Sequence, residues 1–139
     1  MIECKVVLDE GAYMPERAHD ADAGWDLRSR AEVLIPAHGY AFFDTGVRMD
    51  IPKGYAGDLE AKSGLNVKHH IVGTGLIDSG YRGTIGVKLY NFGDDPYLVL
   101  PGDKIIQIVI EPIPEVKMTQ VDALDQTERN EGGFGSTGR

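Results

Sequence analysis

YAFFDTGVRMDIPKGYAGDLEA, Tyr40 to Ala61, decides the fold class. Two runs rich in aromatic and branched residues, Tyr40 to Ile51 and Tyr55 to Ala61, flank Pro52-Lys53-Gly54. Proline and glycine there start a turn and stop a helix, so the stretch reads as strand, turn, strand. The same rhythm continues outward in both directions. Eighteen glycines and seven prolines punctuate the 139 residues and leave little room for long helices. Further candidate strands are Glu3 to Leu8, Glu32 to Ile35, Ile71 to Gly73, Thr84 to Phe92, Tyr97 to Leu100, Lys104 to Ile110 and Val116 to Val121. Short strands at this spacing predict an all-β sandwich or barrel. One short helix is expected at Ser63 to Lys68, with the Ser63 hydroxyl capping its first turn.

The length suits a single domain, and a chain of this size buries roughly 65 to 70% of its unfolded surface, enough to fold without staples. Cys4 is the one cysteine, so no internal disulfide forms, and a lone thiol fits a reducing compartment. No apolar run reaches the ~18 residues of a membrane helix, and Met1 to Glu10 lacks the flanks of a secretion signal. The expectation is a cytoplasmic protein with no membrane partner. Twenty-two acidic against fourteen basic residues give a net charge of -8, which disfavours nucleic acid as a partner. An anionic small molecule would need a local cluster of donors or a metal.

The chain divides into a β domain over residues 1–128 and an arm over residues 129–139. Gly132, Gly133, Gly135 and Gly138 leave the arm with Phe134 as its single large apolar side chain, too little for a core. Such a tail is ordinarily a disordered terminus. Here Arg129 supplies a planar fork of donors, Ser136 and Thr137 supply hydroxyls, and glycine lets backbone N–H groups approach an anion. The arm therefore reads as a lid that orders on binding a phosphate compound.

The polar clusters, in chain order, are AGWDL at Ala23 to Leu27, AKSGLN at Ala61 to Asn66, GTGLIDSGYRG at Gly73 to Gly83, GDKIIQ at Gly102 to Gln107, and RNEGGFGSTG at Arg129 to Gly138. Together they resemble the five blocks of the trimeric dUTPase family, in the same order and across nearly the whole chain. The resemblance implies a jelly-roll-like β subunit, a homotrimer with sites shared between subunits, Mg2+, and hydrolysis of dUTP to dUMP and pyrophosphate. That reaction limits uracil in DNA and supplies dUMP for dTMP synthesis.

By the same resemblance Asp78 positions the water that attacks the α-phosphorus. An aspartate carboxylate is a weak base at neutral pH, so its part is orientation and charge. Gln107 and Asp26 hold water around the metal, Asp26 through water only, which suits a magnesium ion carried mainly by substrate phosphates. Lys62, Ser63 and Gly64 take phosphate oxygens at the start of the helix, whose N–H groups favour an anion. If Ser63 merely caps, its loss costs stability and not turnover.

Gly73, Gly75, Leu76, Ile77 and Gly86 frame the base in a hairpin, where absent side chains let uracil meet backbone. Uracil offers acceptor, donor, acceptor along one edge, and cytosine reverses two of these, so a fixed backbone pattern discriminates by ~10⁴. Tyr81 packs under the deoxyribose and rejects a ribose hydroxyl. Phe134 covers the base, and such a stack contributes ~1–3 kcal/mol. Ordering a glycine arm costs ~1–2 kcal/mol per residue, so Arg129, Gly135, Ser136 and Thr137 must add phosphate contacts. Each charge-assisted bond is worth ~1.5–3 kcal/mol.

Three positions depart from the family pattern: Lys62 and Lys104 stand where arginine is usual, and Asn130 where glycine is usual. Lysine keeps the charge and loses the bidentate fork, so looser contacts and altered affinity are expected. Asn130 tolerates positive φ, so the bend of the arm survives. A P-loop fails because Ala56 and Ala61 occupy its glycine positions. His19, His38, His69 and His70 have no partner cysteines, so solvated histidines are expected and not zinc. Two alternatives remain: a dCTP deaminase-like enzyme, which needs a glutamate base that Gly73 to Val87 lacks, and a non-catalytic trimeric regulator that senses dUTP.

Overall fold

The computed structural model describes residues 1–139. Its strands are β1 (Lys5–Leu8), β2 (Gly24–Arg28), β3 (Val33–Ile35), β4 (Tyr40–Asp44), β5 (Val47–Asp50), β6 (Tyr55–Glu60), β7 (Ile71–Val72), β8 (Gly75–Asp78), β9 (Gly86–Asn91), β10 (Tyr97–Val99) and β11 (Lys104–Pro112). One helix, α1 (Ser63–His69), interrupts them. All pairings are antiparallel: β2-β11-β6-β8 and β4-β9-β7 form the larger sheets, and β1-β5 and β3-β10 are two-stranded. The all-β class with one short helix stands as the sequence predicts.

Alternation builds the core. On β9, Val87, Leu89 and Asn91 are buried while Lys88 and Tyr90 face out. Leu27, Leu59, Ile106 and Ile108 from the first sheet meet Phe43, Val87, Leu89 and Ile71 from the second in one cluster of fifteen buried side chains.

β11 breaks strict alternation. Ile105 and Ile106 are both buried, and the pairing with β2 skips a residue, Lys104 opposing Arg28 and Ile106 opposing Leu27. This β-bulge shifts parity. Without it Lys104 would share the core face of Ile106 and Ile108; with it Lys104 joins the face of Gln107 and Asp26.

The structure differs from the sequence expectation at several places. Tyr40 to Ile51 is two strands, divided at Thr45-Gly46, where Gly46 has φ +69° and its N–H donates to the Asp44 carboxylate at 3.0 Å. β2 and β8 are additional strands, because glycine and aspartate hide the β propensity of Gly24–Arg28 and Gly75–Asp78. Val116 to Val121 is not a strand: no edge of its own chain pairs with it. The Ser63 hydroxyl does not cap α1; Lys62 is the N-cap and makes no side-chain capping bond. His69 and His70 sit at the helix C-terminus, His70 with φ +58°.

After Pro112 the chain runs on without packing. Met118 is 88% and Leu124 85% exposed, and Ile113, Val116 and Val121 are exposed beside them. Truncating Ile106, fully buried where β11 crosses the core, should cost about 2–5 kcal/mol. Urea denaturation of Ile106→Ala measures this, with a lowered midpoint expected.

Candidate active site

Two concavities hold several of the polar residues singled out above, Asp78 and Tyr81 in one and Asp26, Lys62, Lys104 and Gln107 in the other, and they share no lining residue. The first is a cleft of about 420 Å³ at the place where the two larger sheets part. β8 pairs with β6 alone, and residues Gly86 to Leu89 of β9 pair with β4 alone. The facing edges of β8 and β9 therefore carry backbone groups that no strand of this chain takes. Gly73 marks where the edges diverge: a Cβ there would lie 2.9 Å from the Lys88 carbonyl oxygen.

This arrangement corrects the expected hairpin, since β8 and β9 belong to different sheets and do not pair. Leu76, Ile77, Asp78, Tyr81 and Gly86 line the cleft, as do Phe42, Asp44 and Thr84. Gly73 and Gly75 lie at its margin and not in its lining. Gly86 is required by Phe42, because a Cβ would stand 2.5 Å from the ring.

Asp78, Ser79, Gly80 and Tyr81 form the turn at the mouth, closed by Tyr81 N–H donating to the Asp78 carbonyl at 3.1 Å. Asp78 is exposed there, and its carboxylate enters none of the chain's ion pairs. The Tyr81 ring lies across Gly83, and its hydroxyl donates to the Thr84 carbonyl at 2.9 Å, so the ring forms a fixed wall.

Asp44 faces the same cleft. Gly46 N–H, with the Thr84 hydroxyl and Arg30, outweighs burial and holds its carboxyl below the usual carboxylate range. Phe42, Asp44 and Thr84 were not foreseen, because none belongs to a polar cluster. The outward alternation of Tyr40, Phe42 and Asp44 on β4 was the signal that could have found the first two.

The second concavity, about 470 Å³, is lined by Asp26, Lys62, Lys104, Gln107 and Glu60 among others. Register places three of these side by side: Asp26 opposes Gln107, and Gln107 opposes Glu60 on the next strand. A Cβ on Gly24 would stand 2.9 Å from Gln107 Cδ, so glycine makes room for that side chain. Gln107 Nε2 donates to the Ala61 carbonyl at 3.2 Å.

Asp26 is only 4% exposed and accepts from two lysines. Lys62 Nζ donates to Oδ1, and Lys104 Nζ donates to Oδ2 at 2.8 Å. Burial alone would raise the carboxyl, but Lys104 and Lys62 outweigh it and hold Asp26 below the usual range. The two arginine-to-lysine departures thus meet on one carboxylate. Two compact ammonium groups suit its two oxygens without a bidentate fork.

Ser63 and Gly64 are exposed on the first turn of α1, next to Lys62. Arg129, Phe134, Gly135, Ser136 and Thr137 line neither concavity. Phe134 is fully exposed, and the arm's bonds are local, such as Arg129 Nε to the Gly132 carbonyl at 2.8 Å. Asn130 has φ +44°, so the positive φ expected of it is present. His19 and His38 are exposed and pair with Asp22 and Asp94, and no three His, Cys, Asp or Glu side chains group to hold a metal ion.

Removing the Asp26 charge tests this second concavity. A carboxyl held low in the folded state stabilises it above the ordinary pKa of ~3.9, and loses that contribution as pH falls through the folded value. Asp26→Asn should cost about 2 kcal/mol at pH 7, less than a fully buried pair because both lysines remain partly solvated. Denaturation at stepped pH should show the gap from the unaltered chain closing below about pH 4.

Comparison with known proteins shows the family. The dUTPase family model matches residues 10–138. The chain is 47% identical over 132 residues to a deoxyuridine 5'-triphosphate nucleotidohydrolase of Oryza sativa, covering 94% of this chain and 77% of that one. A protein of the same name from Alkaliphilus metalliredigens is 45% identical, covering 91% and 90%. Among solved structures, the Staphylococcus bacteriophage 80alpha dUTPase with dUPNHPP superposes with TM-score 0.93 at 32% identity, covering 100% of both chains. A dUTPase mutant from phage phi11 of S. aureus, solved for the coordination of a structural Mg(II) ion, gives 0.81 at 33%, covering 88% and 98%. The chain belongs to the dUTPase family.

Proposed function

We propose that this chain hydrolyses dUTP to dUMP and pyrophosphate, with the base read in the β8–β9 cleft. The observation that carries the proposal is the cleft itself: unpaired backbone edges, an exposed carboxylate and a fixed tyrosine ring within one 420 Å³ space. Family membership and the names of the relatives support the same substrate.

Backbone N–H and C=O groups on β8 and the start of β9 pair with the uracil edge, and Leu76, Ile77 and Gly86 set its position. Gly73 keeps the Lys88 backbone close, and Gly75 leaves room for the Leu59 side chain. The Tyr81 ring lies under the deoxyribose and leaves no room for a 2′-hydroxyl. Asp78 accepts from the attacking water and aims it at the α-phosphorus, and Gln107 holds that water's neighbours. The electron pair of the bridging P–O bond leaves on pyrophosphate, the oxygen of the water becomes the new phosphate oxygen of dUMP, and its two protons pass to the product phosphates and solvent.

The phosphates lie at the start of α1, on Ser63 Oγ, the Gly64 N–H and the charge of Lys62. Mg2+, if carried in on the triphosphate, would supply neutralisation of the charge that develops on the phosphate oxygens. The donor set suits an ion carried in this way: there is no protein cage for it, and Gln107 on β11 is placed where it can hold its waters, whereas both Asp26 oxygens are engaged by Lys62 and Lys104, against the role expected of Asp26.

Because the cleft and the Lys62 concavity share no residue, one chain offers two part-sites. A homotrimer that places one copy's cleft against another's Lys62 and Gln107 completes the site. The unpacked stretch from Ile113 to Leu124, with its exposed apolar side chains, suits a partner's surface. The arm, residues 129–139, then closes over the nucleotide, Phe134 on the base and Arg129, Gly135, Ser136 and Thr137 on the phosphates. The lone thiol, Cys4, suits the cytoplasm, where thiols stay reduced.

No glutamate lines the cleft, so the deaminase reading loses its base, and a purely dUTP-sensing regulator leaves the Asp78 carboxylate without a task. Pyrophosphate release should be seen with dUTP and magnesium, and be far lower with dCTP, dTTP and UTP. Asp78→Asn should bind dUTP yet lose turnover by roughly a hundred-fold or more, the loss typical of a mispositioned reactant. Ammonia release from dCTP, or full turnover by Asp78→Asn, would overturn the assignment.

A further inference from the structure

The turn that carries Asp78 and Tyr81 has little inside it to keep its shape. A single backbone bond closes it, and Gly80 has open space around it. Its rigidity comes from the other side. Arg82 folds back under the turn, Nη1 donating to the carbonyl oxygens of Ser79 at 2.8 Å and Tyr81 at 3.1 Å. Its Nη2 donates to Asp50 Oδ1 on β5 at 2.6 Å.

Two residues back on β5, Arg48 Nη1 donates to the Arg82 carbonyl at 3.2 Å. Arg48 Nε and Nη2 donate to the two oxygens of Asp9 at 3.0 and 3.1 Å. These bonds to Arg48 keep Asp9 below the usual carboxylate range, so the fork stays charged. Alternation explains the placement: Val47 and Met49 point into the core, and Arg48 and Asp50 point outward toward the turn.

Exposed ion pairs of this kind add little to global stability, typically ~0–1 kcal/mol. What they fix is orientation. Guanidinium is planar with five donors in a set geometry, and bonds to two carbonyls and a carboxylate leave Arg82 one way to lie.

We propose that Arg82, Asp50 and Arg48 are positioning residues that set the Asp78–Tyr81 turn from outside the cleft, so that substitutions on β5 alter turnover and sugar selection without touching the nucleotide. The inference rests on the roles given to Asp78 and Tyr81 above. None of the three lines the cleft.

The test uses the full chain with Asp50→Asn, Asp50→Glu and Arg48→Gln, all at exposed or half-exposed positions where folding is retained. Asp50→Asn should lower kcat by roughly ten- to a hundred-fold, as a misplacement of about 1 Å does. KM for dUTP should change little, the preference for dUTP over UTP should narrow, and Asp50→Glu should recover part of both. Amide exchange at Ser79 to Tyr81 should quicken in Asp50→Asn and Arg48→Gln while thermal unfolding stays close to that of the unaltered chain. Unchanged exchange at the turn overturns the inference, and so does quickened exchange with kcat and sugar preference intact. If the unaltered chain leaves dUTP untouched, the functional reading fails, and the exchange measurement, which needs no substrate, still judges the clamp.

Discussion

Backbone hydrogen bonding is the constraint on which the rest depends. Every N–H and C=O taken from water must find a partner, and most of this chain meets that demand by strand pairing. At Gly73 the two larger sheets part, and the edges of β8 and the first half of β9 face one another across a cleft without pairing. Such edges are ordinarily a liability, open to any extended chain. Here the cleft is lined by Phe42 and Tyr81, and the proposed occupant is a flat heterocycle with complementary donors and acceptors.

The second concavity depends on a single inserted residue. The bulge at Ile105 keeps the core apolar while turning Lys104 to the face of Asp26. Asp26, nearly excluded from solvent, can remain charged because two ammonium groups reach its oxygens. Two strands and the start of α1 are thereby tied at one carboxylate, and Gln107 is set beside it by register.

Much of this was legible in the residues. Glycine and proline spacing carried the all-β class, and the polar clusters carried the family, half of the residues lining the cleft and most of those lining the second concavity. What escaped was relational. Gly75 and Gly86 look like the two sides of a hairpin, but pairing partners depend on which edges the core leaves free, which no local pattern records. Ser63 looks like a cap, yet Lys62 occupies that position and turns its side chain to Asp26. Val116 to Val121 has strand composition without a strand, because a strand needs an edge and its own chain offers none there. The departures at Lys62 and Lys104 were visible as two separate changes; only the fold shows them sharing one partner.

The measurement that bears most directly on the central claim is residue-resolved amide exchange on the purified protein, with a non-hydrolysable dUTP analogue and with its dCTP counterpart. If the parted edges read the base, amides on β8 and at Gly86 to Leu89 become protected with the uracil compound and stay open with the cytosine compound. Equal protection by both, or protection confined to α1 and the arm, would contradict recognition by these edges.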